Sequence, residues 1–205
     1  MSRSTLTLAL LLSIGPTALA GQTRSNTEGW LLNAHVGAAA GNVEDGDTEA
    51  GLGGGVIVGY GFTPEWQVFV GGDATSMDIS NPALTGEYTI YQGDVGARLN
   101  FPDPTATFVA YVIGAVTGQF AKGTVTGGEN QSADAELAGW GGSIGTGFHV
   151  FFNPALALDT QVQFTFGQFT HADLTGANAG RLDNARQNWF TRLNVGLTWY
   201  PQAPY

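Results

Sequence analysis

The sequence predicts an all-β fold: a closed, eight-stranded antiparallel up-and-down barrel that crosses a membrane. Three observations predict it. Segments such as "LDTQVQFTFGQF" (158–169) alternate apolar and polar residues with a period of two, the spacing of a strand with two unlike faces. The connections between such segments alternate between short Pro-bearing turns and longer polar loops, as in a membrane barrel with turns on one side and loops on the other. Twelve Phe, six Tyr and five Trp residues are also more than the interior of eight strands can hold.

The chain begins with "MSRSTLTLALLLSIGPTALA", which has a basic residue (Arg3), an apolar run from Leu6 to Ile14, a Gly15-Pro16 break and an A-x-A site at Ala18–Ala20. This reads as a secretory signal peptide over 1–20, followed by one barrel domain over 21–205. Cleavage after Ala20 removes Arg3 and moves the net charge from −10 to −11. That balance argues against nucleic acid as a partner, which requires a basic footprint. With no cysteine, the exported chain has no disulfide staples. Thirty-one glycines and 12% charged residues fit an all-β chain.

Eight strands are expected at about 29–41, 51–62, 66–76, 87–101, 106–120, 136–152, 155–170 and 188–200, each long enough to span a bilayer at a tilt. Strand 1 opens on Trp30. Strand 2 places Leu52, Val56, Val58, Tyr60 and Phe62 on one face and mostly glycine on the other. Strand 3 starts at Trp66 after the Thr63-Pro64-Glu65 turn and carries Asp73; strand 4 carries Gln92, Asp94, Arg98 and Asn100 on one face. Strand 5, "TATFVAYVIGAV", is apolar on both faces, so its register stays open. Strand 6 sets Trp140, Ile144, Phe148, Val150 and Phe152 against Gly139, Gly141, Gly145 and Gly147. Strand 7 follows the Asn153-Pro154 turn and alternates as quoted. Strand 8 sets Trp189, Thr191, Leu193, Val195, Leu197 and Trp199 against Phe190, Arg192, Asn194, Gly196, Thr198 and Tyr200. Trp30, Tyr60, Trp66, Trp189, Trp199 and Tyr200 lie near strand ends, where aromatic rings settle at the membrane interface.

The apolar faces must therefore point outward into lipid and the polar faces into the lumen. Polar side chains in so narrow an interior must satisfy one another. Counting from the short turns, Asp73, Asp94 and Arg192 lie about seven or eight residues up their strands, and Arg98, His149 and Asp159 about three to five. Two interior layers are expected: Arg192 with Asp94 or Asp73, and Arg98 with Asp159 and His149. The inward glycines of strands 2 and 6 either make room for the arginines or leave a wet slot.

On this architecture the chain resembles the small eight-stranded outer-membrane barrels of the OmpA, OmpX and opacity-protein type, over nearly all of residues 29–200. The resemblance implies residence in the outer membrane of a Gram-negative bacterium, contact with outer-membrane lipid and lipopolysaccharide, and recognition of the last strand, "NWFTRLNVGLTWY", by the assembly machinery. The tail Pro201–Tyr205 departs from the family pattern of ending on the aromatic. The resemblance implies no cofactor. Its leading functional expectation is a non-enzymatic structural or surface-interaction role through external loops, ahead of a narrow passive channel and a lipid A-modifying enzyme.

An enzyme of that last kind needs a serine beside a histidine. Ser143 lies six residues from His149 on one strand, too far for contact, and His171 and Asp173 open a loop. The first external loop, "GNVEDGDTEAG" (41–51), offers Glu44, Asp45, Asp47 and Glu49 as a candidate divalent-cation site, without the spacing of a calcium loop. The glycine runs lack G-x-G-x-x-G and a following helix, which excludes a nucleotide loop.

Overall fold

The computed structural model describes residues 25–43, 48–78, 85–103, 106–126, 132–174 and 180–203. The expected signal peptide over 1–20 and three of the four acidic residues of the first loop, Glu44, Asp45 and Asp47, lie outside them. The strands are β1 (Gly29–Val43), β2 (Glu49–Gly61), β3 (Trp66–Asp78), β4 (Thr85–Phe101), β5 (Phe108–Thr126), β6 (Ser132–Asn153), β7 (Leu156–Leu174) and β8 (Gly180–Trp199). They pair in chain order, every pair antiparallel, and β8 pairs with β1 to close the barrel.

The side chains are inverted relative to a soluble protein. Val36 and Leu52 are 70% and 75% exposed on the outside, whereas Arg98 and Arg192 are 1% and 2% exposed inside. Water around such a belt would be costly, and acyl chains are its natural solvent. On β8, Trp189 and Trp199 stand ten residues apart. With a rise of about 3.3 Å per residue and a tilt of about 40°, they are separated by about 25 Å along the barrel axis, the height of a lipid-facing band.

The outer ends of β5 to β8 run further than their alternation indicates: β6 begins at Ser132 and β8 at Gly180. Above the lipid both faces of a hairpin meet water, so backbone pairing continues without the two-face pattern that marks it in sequence.

The register of β5 is now defined. Val109, Tyr111 and Ile113 point inward and are buried, while Val112 and Val116 face lipid. The inward residues join Leu31, Ile57, Phe69, Phe151 and Tyr200 in an apolar layer near the turn end of the lumen. From Phe108 to Val116, β5 is apolar on both faces because one meets lipid and the other meets this layer. A second apolar layer, with Met77, Ile90, Phe169 and Phe190, lies toward the loop end.

Two straps close the turn end. Thr27 Oγ1 donates to the Pro64 carbonyl at 2.6 Å, and the Thr27 carbonyl accepts from Gln67 Nε2 at 2.7 Å. On the other side the Tyr200 amide donates to the Ala155 carbonyl, and Ala203 is buried in the apolar layer. Gly29 joins the straps to the barrel: its φ of 84° suits glycine, and a Cβ there would stand 2.8 Å from Gln202 Oε1.

Candidate functional site: the lumenal polar network

Period two sends alternate residues of each strand inward, and the register brings the inward polar ones together in two layers. In the lower layer His149 is the direct cross-strand partner of Asp159. His149 Nε2 lies 3.3 Å from Asp159 Oδ2 and 3.1 Å from Arg98 Nη1, and Arg98 Nη2 lies 3.6 Å from Asp159 Oδ2. Tyr111 donates its hydroxyl to Asp159 Oδ1 and places its ring 4.0 Å from the Arg98 guanidinium carbon, a cation–π contact. Asn33 Nδ2 and Thr198 Oγ1 also donate to Asp159 Oδ2, at 3.1 and 3.2 Å. A carboxylate with this many donors is well compensated for its burial.

In the upper layer Arg192 reaches both carboxylates expected of it. Nη1 is 3.0 Å from Asp73 Oδ2 and Nη2 is 2.8 Å from Asp94 Oδ2. His35 joins through Nε2, 2.8 Å from Asp73 Oδ1, and through Nδ1, 2.8 Å from Asn33 Oδ1, which links the layers. Gln163 Nε2 and the Thr117 hydroxyl donate to Asp94, and Thr117, Ser143 and Thr165 form a hydroxyl chain. The space framed by Asn33, His35, Ile57, Asp159 and Asn194 is too tight for a water molecule.

The inward glycines serve close packing rather than a wet slot. A Cβ on Gly55 would stand 2.8 Å from His35 Nε2, and one on Gly147 would overlap the Tyr111 ring. At Gly139 and Gly141 it would strike the backbone of β7.

Four of the six expected interface aromatics (Trp30, Trp66, Trp189 and Trp199) are exposed on the outer face, and Tyr60 packs edge-on against Trp30 at 5.4 Å. Tyr200 corrects the expectation. It is fully buried, stacks on Phe151 at 5.8 Å and accepts from Gln67 Nε2 at 3.2 Å. It continues the inward parity of Thr198, and the strap beyond it turns under the lumen. Glu49 opens β2, and the described residues contain no cluster of three groups able to hold a metal ion. Ser143 bonds only hydroxyls in the contacts above, and His171 Nδ1 lies 3.0 Å from its neighbour Thr170 Oγ1.

Sequence reasoning missed Tyr111, because strand 5 carried no readable face. The register on β1 turns His35 inward, but its pairing with Asn33 as the bridge between the layers was not foreseen.

No protein-family model and no curated protein matches the chain. Solved structures do match in fold. Neisserial surface protein A is 16% identical, with a TM-score of 0.59 over 84% of this chain and 97% of its own. The outer membrane protein OprG from Pseudomonas aeruginosa is 11% identical, with a TM-score of 0.54 over 86% and 98%. Ail, the attachment invasion locus protein of Yersinia pestis, is 12% identical, with a TM-score of 0.52 over 84% and 99%. The chain has the fold of these small outer-membrane barrels.

Proposed function

We propose that this chain resides in a bacterial outer membrane as a non-enzymatic barrel, acting through its external loops in surface interaction or envelope structure. One observation carries the reading: among the described residues, side chains fill the lumen between the two ion layers. Arg98 and Arg192 are each held against carboxylates between two apolar layers, with no water-sized space between the ion layers. A filled lumen supports neither solute passage nor a substrate pocket, so activity falls to the loop surface. The nearby serine and histidines are committed to structural contacts, which argues against acyl-transfer chemistry.

Planar-bilayer recording tests this. The purified barrel is expected to give no discrete openings, and the exchange of external loops to change ligand or cell binding while the barrel still assembles. Stepwise conductance would favour a narrow passive channel instead.

A further inference from the structure

The lipid-facing surface of β6 has a socket at Gly142. Across the sheet Gly142 pairs with Val116 on β5 and Phe166 on β7, and its outward neighbours along β6 are Trp140 and Ile144. All four side chains are large and exposed, yet nothing lies within 4 Å of where a Cβ on Gly142 would stand. β5 and β7 are two strand spacings apart, about 9.5 Å, so omitting one side chain between them leaves a slot of acyl-chain width. The socket belongs to a groove of about 580 Å³ that runs past Phe166 to Trp189.

The groove has two unlike ends. Its loop-side rim bears three neutral amides: Gln168, which pairs with both Trp140 and Gln187, and Asn42, which pairs with Trp189. Two further notches in the belt, one over Gly72, Gly93 and Gly118 and one over Ala38, Ala40 and Leu52, have no outward amide. Amides both donate and accept hydrogen bonds, which suits the sugar hydroxyls and the amide and ester carbonyls where a glycolipid's acyl chains begin. The groove is continuous with the surface already in contact with acyl chains, and its amides sit at the level of the outer tryptophans.

We propose that this groove holds one acyl chain of an external-leaflet glycolipid, with the chain in the Gly142 socket and its carbonyl and hydroxyl groups under the amides. The proposal rests on the outer-membrane reading above.

Native mass spectrometry of the delipidated full chain, refolded and offered lipid A or phosphatidylethanolamine, tests it. One lipid A is expected to be retained, with about tenfold weaker retention in Gly142→Leu and no change in Gly72→Leu. Both substitutions point into open space, so the fold is expected to survive them. Equal retention by wild type and Gly142→Leu, equal loss in Gly72→Leu, or equal retention of phosphatidylethanolamine would each overturn the proposal. A chain that failed to insert into vesicles would overturn the outer-membrane reading with it; insertion without selective retention would overturn this proposal alone.

Discussion

Replacing Arg192 with Met keeps the length of the side chain and removes the cation between Asp73 and Asp94. Asp73 retains His35 at 2.8 Å and Asn194 Nδ2 at 3.5 Å, whereas Asp94 is left with the Thr117 hydroxyl and Gln163 at 3.2 Å and no charged partner. Breaking a buried pair from one side strands a desolvated charge and costs about 3–5 kcal/mol. The expected loss lies near the middle of that range, because neutral donors still serve Asp94. Adding Asp94→Asn removes the stranded charge, so the double variant is expected to regain about 1–3 kcal/mol relative to additive behaviour. Urea unfolding in lipid vesicles, followed by tryptophan fluorescence and by gel mobility of the folded barrel, measures both quantities. A single variant within about 0.5 kcal/mol of wild type, the scatter of surface substitutions, would refute the reasoning. So would strict additivity in the double variant.

Three further outcomes are expected. Tyr200→Ala empties the stack on Phe151 and is expected to cost about 3–5 kcal/mol, as for other buried aromatics, while Tyr200→Phe loses one hydrogen bond and about 1 kcal/mol; the same unfolding assay ranks them. Val56→Arg, on the lipid face, is expected to cost about 2–4 kcal/mol in vesicles. Gly55→Leu drives a side chain into His35 and is expected to block folding, whereas Gly72→Leu, with open space outside, is expected to change stability by less than about 0.5 kcal/mol; the yield of folded barrel on gels separates them.

The barrel was legible because lipid and lumen impose opposite chemistry on alternate residues, and residues 158–166 of β7 and 189–199 of β8 obey that rule at nearly every position. The ion layers were legible for the same reason: distance from a short turn sets height in the lumen, which brought His149 to Asp159 and Arg192 to Asp73 and Asp94. The rule fails where the two environments converge. On β5 the inward face meets an apolar layer, so Tyr111 was indistinguishable from its lipid-facing neighbours. Beyond β8 aromatic character suggested an interface for Tyr200, while backbone parity and the strap turn it inward. Glycine conveyed a missing side chain without indicating whether space or a close neighbour took its place, and Gly55 and Gly72 show the two outcomes.

The inversion of faces is tested most directly by single-cysteine spin labels along β7 in a chain that has no native cysteine. In reconstituted vesicles, labels at Thr160, Val162, Phe164 and Phe166 are expected to collide freely with oxygen dissolved in lipid. Labels at Gln161, Gln163 and Thr165 are expected to be shielded and immobile. Collision with oxygen at the second set and not the first would place the polar residues against lipid and contradict the account.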